Sequence, residues 1–351
     1  YWKARCYQSL GEPDRALELL AKAEENGPGS ASLPAVMQLA AAVLIEIGDH
    51  DGAADKFAEF LAAFPDREDA AEVALERAKV FIECGRNAQA LEALVTLGDD
   101  YPDAVASLEG ALLIGKLLRL LDDVGGARAV LFPLATNLQV HVELRAEAWF
   151  ECAEMEREAG DFENADHALA QGILLTGDAG ARARAQADRG RILVLLGREE
   201  EGFSLMRESV LNQPDPVAAA AIQIAFAEML QQQDKHGQAV QEYQVFMEAF
   251  SGQGLDSRAL WGKAWSLWDL GRFTEAASVF EKVYDLNPDQ EMRADSLMKA
   301  ADSHFAEGQF NAAAEIYRRF REEFQTHAQR GQARFQEAES FAQAEDFDRA
   351  I

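Results

Sequence analysis

The chain reads as all-α, a right-handed α-solenoid of antiparallel helix hairpins, and three observations carry that expectation. Helix-ending positions recur at Gly11, Gly48, Gly85, Asp122, Gly160, Gly197, Asp234, Gly271, Gly308 and Glu345, with eight of the nine intervals equal to 37 residues and one to 38. Seven residues before and five residues after each of them the chain always carries Ala or Gly. Nine residues after the first nine of them comes a large side chain: Leu20, Phe57, Leu94, Leu131, Leu169, Met206, Tyr243, Phe280 and Tyr317. A closed enzyme core has no reason to keep such a period, whereas stacked hairpins must, because each buries its apolar face only against its neighbours.

Each element of the repeat has its own cause. The first helix carries Ala4, Ala41, Ala78, Gly115, Ala153, Gly190, Ala227, Ala264, Ala301 and Ala338, and the second carries Ala16, Ala53, Ala90, Ala127, Ala165, Gly202, Ala239, Ala276, Ala313 and Ala350. Small residues at two fixed places imply close helix approach, since a larger side chain would force the hairpin apart. The turn between them needs a left-handed residue, for which Gly is best and Asp a partial substitute. Seventeen residues past the turn, Pro28, Pro65, Pro102, Pro214 and Pro288 end the second helix or start the next connection, since proline cannot continue a helix.

Paired small residues, a turn Gly, a large aromatic and a closing Pro, as in Ala264 to Pro288 and Ala41 to Pro65, resemble the tetratricopeptide repeat. The resemblance covers the whole chain and departs from the family in period, which is 34 residues there. Three extra residues are close to one helical turn, so a first helix longer by a turn is expected. Phrases such as Phe64-Pro65-Asp66 and Tyr101-Pro102-Asp103 resemble repeats of bacterial cell-envelope proteins. One array of about ten repeats is expected: 1–30 (partial), 31–67, 68–104, 105–141, 142–179, 180–216, 217–253, 254–290, 291–327 and 328–351 (partial). Both ends fall inside a hairpin and suggest a fragment of a longer chain. The location left open by this reading is the bacterial periplasm or cell envelope, or the cytoplasm.

Charge narrows the partners. Against 33 Lys and Arg stand 61 Asp and Glu, a formal charge of −28, which disfavours nucleic acid and anionic lipid as ligands. No apolar run approaches the roughly 20 residues of a membrane span, so direct membrane insertion of this segment is not expected. Cys6, Cys84 and Cys152 are about two repeats apart and read as free thiols.

Chemistry-bearing motifs are weak. Gly110 to Lys116 imitates a phosphate-binding loop, but Leu117 follows the Lys where Ser or Thr is needed, and Gly115 is a packing residue. The six His show neither metal spacing nor a nucleophile partner. No catalytic residue, no cofactor and no metal site is assigned, and the chain is read as a non-enzyme. Glu156 and His304 stand four before their turns, where other repeats hold Leu, Phe or Tyr; both are expected to be partly exposed core positions.

In a hairpin array the first helices line the concave surface, and residues ten, six and three before each turn form a stripe rotated about 100° from the packing stripe. Ahead of Gly271 that stripe is Trp261, Trp265 and Trp268; ahead of Gly308 it is Met298, Asp302 and Phe305. Two readings stand for the Trp stripe: cover by neighbouring hairpins, or a pocket for apolar anchors of a partner peptide. Six before the turn the stripe is mostly basic early, with Lys79, Lys116 and Arg191, and Arg119, Arg157 and Arg184 add to it. An acidic segment could dock there, or the charges could pair with local Glu. The function expected is a non-enzymatic scaffold holding protein or peptide ligands in its concave groove. The alternatives are the binding region of a larger multidomain enzyme or signalling protein, and a bacterial envelope-assembly factor.

Overall fold

The computed structural model describes residues 1–27, 29–287 and 289–350. Pro28 and Pro288, expected to close second helices, lie outside the described residues. Those residues form nineteen α-helices and no strand, in two compact units, Tyr1–Gly177 and Asp178–Ile351.

The first unit holds α1 (Trp2–Ser9), α2 (Pro13–Asn26), α3 (Leu33–Glu46), α4 (His50–Ala63), α5 (Ala70–Glu83), α6 (Asn87–Asp100), α7 (Val105–Leu120), α8 (Val124–Thr136), α9 (Val142–Glu158) and α10 (Phe162–Leu175). The second holds α11 (Ala179–Leu195), α12 (Glu199–Asn212), α13 (Pro216–Gln232), α14 (His236–Ala249), α15 (Asp256–Asp269), α16 (Phe273–Leu286), α17 (Gln290–Ala306), α18 (Phe310–Glu323) and α19 (Arg330–Gln343). Within each unit every helix packs on the next in sequence. First helices of successive hairpins also touch: α5 with α7, α7 with α9, α11 with α13 and α13 with α15.

The turns follow from backbone sterics. All ten expected positions have positive φ, from 55° at Asp234 to 80° at Gly48, and Asp122, Asp234 and Glu345 are the non-glycine residues that share this conformation among the described residues. The residue after the turn donates its N–H to the carbonyl five residues before it, as Arg86 does to Phe81 at 2.8 Å and Gln309 to His304 at 2.8 Å, which satisfies an orphan carbonyl of the first helix. Where that next residue is Asp49, Asp123 or Asp161, its carboxylate also caps the second helix.

The small residues sit where helices meet. Gly190 and Gly202 face each other across α11 and α12, and a Cβ on Gly202 would lie 2.5 Å from the Gly190 carbonyl oxygen. The large residues nine after the turn, from Leu20 to Tyr317, are all buried. Leu131 and Met206 fill the space left by Gly115 and Gly190 of their own hairpins, and Tyr243 fills that left by Gly262 of the next.

First-helix length departs in part from expectation. α9, α11, α13 and α17 have 17 residues and α7 has 16, but α3, α5, α15 and α19 have 14. Local capping decides the difference. Each 17-residue helix is capped nineteen residues before its turn, by His141, Asp178, Asp215 or Asp289. The shorter ones have no side-chain cap, and their extra residues lie in the connection, held before α15 by Gly252 and Gly254 at φ 88° and 82°.

Candidate functional site

The candidate surface is the first-helix face, and the three stripe positions are unequal on it. Ten before the turn, Leu75, Leu112, Ala187, Ile224 and Met298 are buried in the helix packing. Met298, expected on the ligand-facing stripe, is thus turned away from solvent. It is 2% exposed and clusters with Leu297, Tyr317 and Phe320, because its unbranched side chain can turn into the core between α17 and α18. Six before the turn, Lys79, Lys116, Glu154, Glu228, Trp265 and Asp302 are half-buried and Arg191 is exposed. That position is where the face meets solvent.

In the second unit Trp261, Trp265 and Trp268 are half-buried and pack against the core around Leu267 and Phe280. Trp265 lies edge-on to both neighbours, with ring centroids 5.9 Å from Trp261 and 6.3 Å from Trp268. Phe280 supports Trp261 at 5.5 Å and Trp265 at 5.7 Å, and Phe273 supports Trp268 at 5.0 Å. Neither sequence reading alone describes this: one side of the stripe is core and the other is partly open. Lys299 of α17 places its ammonium 5.4 Å from the Trp265 ring centre and 6.0 Å from that of Trp268, a cation–π arrangement. Its charge is met by Asp302 at 3.0 Å. Phe305 is half-buried beside Phe310, at 5.2 Å between centroids.

The expected basic stretch divides between the units. In the first, Lys79, Leu112, Leu113, Lys116, Leu144 and Glu147 line a cavity of about 450 Å³ on the first-helix face. Lys116 stands 3.6 Å from Glu151 and 3.9 Å from Glu147 of the next first helix, contacts too long for hydrogen bonds. Arg119 is committed more firmly, 2.7 Å from Glu158 and 3.4 Å from Glu151. Lys79 meets Glu76 at 2.8 Å, and Arg157 pairs with Glu154 on its own helix. In the second unit Arg191 is 3.8 Å from Asp188, and the Ala181 N–H, then that of Gly180 and the exposed Arg184, hold the Asp178 carboxyl below its ordinary range.

Cross-helix pairing and Lys299 were missed in the sequence reading. An i,i+3 match of Lys299 to Asp302 was available as a signal. The pairing between successive first helices needs their lateral register, which no local spacing records. Glu156 also departs from expectation, being buried and not partly exposed. Arg128 of α8 binds its carboxylate through two hydrogen bonds, Nε to Oε1 at 3.0 Å and Nη2 to Oε2 at 2.6 Å, which removes the need for water. His304 is half-buried, its Nδ1 2.7 Å from Gln309 Oε1. Among the described residues no helix is long and apolar enough to cross a membrane, and no group of three or more His, Cys, Asp or Glu is arranged to hold a metal ion.

Repeat geometry and sequence profiles agree. Tetratricopeptide-repeat profiles match residues 1–108 with 146–252, 224–291 and 295–327. The chain belongs to the tetratricopeptide-repeat family. A search of curated proteins gave no match. Among solved structures, the chain is similar to a tetratricopeptide repeat protein from Parabacteroides merdae, with 14% identity over 74% of this chain and 96% of that one at a TM-score of 0.48. It is also similar to BtubC (BKLC) from P. vanneervenii, with 11% identity over 58% of this chain and 89% of that one at a TM-score of 0.49. The tetratricopeptide-repeat fold generally mediates protein–protein interaction.

Proposed function

We propose that this tetratricopeptide-repeat chain is a non-enzymatic scaffold that binds peptide segments of partner proteins on its first-helix faces. The observation that carries the reading is the partly open ladder of Trp261, Trp265 and Trp268, backed by Phe280 and Phe273. Rigid aromatics set on a packed helix bury large area at little cost in side-chain entropy, which is the composition of binding hot spots. Lys299 already occupies a cation position over two of the rings, so an incoming apolar or basic anchor exchanges with it. In the first unit, Lys79 and Lys116 beside Leu112, Leu113 and Leu144 supply a second place, suited to an acidic residue flanked by apolar ones. The loose Lys116 contacts are the ones such a carboxylate would replace.

A peptide-display selection against the whole chain tests this. Peptides recovered on the wild-type protein are expected to bind Trp265→Ala at least tenfold more weakly, or to bind Lys116→Glu more weakly with a reduced salt dependence. Selected peptides that bind both variants as tightly as wild type, although Trp265→Ala melts at a lower temperature, would remove the Trp ladder and the basic face from the binding role.

A further inference from the structure

A separate cavity of about 420 Å³ opens in the first unit between α8, α9 and α10, away from the first-helix stripe. Trp149 is its centre, edge-on to Phe132 at 5.7 Å and to His167 at 5.8 Å. Cys152 and Met155 lie in the floor, both buried. Burial, and then the nearby Glu156 and Glu151 carboxylates, push the Cys152 thiol up to about 12, so it remains a neutral, apolar lining group.

The polar part of the wall is the fork of Arg128 on Glu156, with the His167 ring and Asn164, whose amide donates to Asp161 at 2.8 Å, beside it. Glu156 is 8% exposed and stands where other hairpins hold Leu44, Phe81, Leu118, Leu193, Leu230 and Leu267. Burying a carboxylate carries a desolvation cost that hydrophobic replacement avoids, and the Leu and Phe of the other hairpins show that packing at this place does not require it. A second local peculiarity lies on α8 itself, the helix that carries Arg128. Pro133, inside α8, has no N–H, so the carbonyl of Ala129 one turn earlier loses its ladder donor; both residues line the cavity.

These features select a guest. An anion would face Glu156 and a cation Arg128, so the complement is neutral. The rings around Trp149 favour an aromatic body through edge-on contact. Without an N–H from Pro133, the Ala129 carbonyl keeps the capacity to accept one hydrogen bond from a guest. The volume is that of a small-molecule pocket, which spans roughly 300–1,000 Å³. We propose that this cavity is a binding site for a neutral aromatic small molecule carrying one N–H or O–H donor, of the indole type, with its ring against Trp149 and its donor on the Ala129 carbonyl.

Saturation-transfer NMR with indole as the probe, on the whole chain, tests the site. Transfer to indole is expected, with 1-methylindole, which lacks the donor, binding at least fivefold more weakly. Ala129→Trp, at an exposed helix position, should fill the mouth and weaken indole at least tenfold with unchanged helical circular dichroism. His167→Ala, also exposed, removes one ring and should weaken indole at least threefold, and it serves if the first variant misfolds. No transfer at millimolar indole, equal binding of the two probes, or undiminished binding in a folded variant overturns the proposal.

Discussion

Tyr317, buried in α18, donates its hydroxyl hydrogen to Asp302 Oδ1 at 2.6 Å, so an interior side chain holds a residue of the solvent-facing stripe on α17. The other oxygen of Asp302 meets Lys299, and Lys299 lies over Trp265 and Trp268. Core packing and the aromatic ladder are thereby joined through one hydrogen bond, one ion pair and the Lys299 cation–π contacts. Tyr317→Phe is expected to cost about 1 kcal/mol, the net worth of a hydrogen bond to a charged acceptor that water can partly reach. It should also change tryptophan emission as Lys299 is released. Denaturant midpoints and emission spectra together check this, and if both match wild type the hydroxyl holds nothing in place.

The same buried phenols set an alkaline limit. Burial, and then the Asp302 carboxylate, raise the Tyr317 pKa far above its ordinary value; burial and then Glu228 raise that of Tyr243. Below the ordinary phenol pKa of about 10 both groups are neutral whether folded or unfolded, and their contacts are fully kept. Above it the unfolded chain releases protons that the folded chain retains, so stability falls as pH rises. Urea midpoints at pH 9, 10 and 11 should decline, and the decline should be shallower in a Tyr243→Phe, Tyr317→Phe double variant. Parallel slopes in the two proteins would assign the decline to other groups.

Helix approach at α11 and α12 predicts two glycine substitutions of opposite sign. A Cβ on Gly202 meets the Gly190 carbonyl, which is backbone and cannot swing aside, so Gly202→Ala should destabilise by about 1–3 kcal/mol. Gly98, inside α6, has nothing within 4 Å of its would-be Cβ, and Gly98→Ala should stabilise by roughly 0.5–1 kcal/mol. Chemical denaturation of the two variants separates packing from backbone entropy. Equal effects would deny that close approach is the reason for the glycine pair.

Glu156 and Arg128 give an asymmetric pair of variants. Arg128→Ala leaves a buried carboxylate without its partner and should cost about 2 kcal/mol, below the fully buried range because the guanidinium is itself half in water. Glu156→Leu restores the residue type that most other hairpins carry at this place and should be neutral or stabilising. Thermal melts of both are the measurement, and a strongly destabilised Glu156→Leu would show that the ion pair belongs to the hairpin's packing.

The hairpins were legible because their causes are local. A positive-φ turn at Asp122 or Gly160, the small residues facing it and the large residue nine later all lie within one hairpin, and each follows from sterics that a single repeat contains. The candidate surface was legible only in outline. The positions three, six and ten before the turn lie on the first helices, but spacing gives the same weight to Met298 and Trp261, and the structure does not.

What the sequence determined by itself was the repeat: where each helix ends, which residues pack and how the hairpins succeed one another. What only tertiary structure decided was which side chains remain at the surface and whom they meet. Met298 turns inward while Trp261 stays half out, because the space beside Leu297 and Tyr317 admits a flexible thioether and the space beside Phe280 is already filled. Glu156 is buried because Arg128 from the preceding hairpin reaches it, and Lys116 is held loosely because Glu147 and Glu151 of the next first helix stand near it. Burial and pairing depend on side chains brought together across tens of residues, and no local period carries that information.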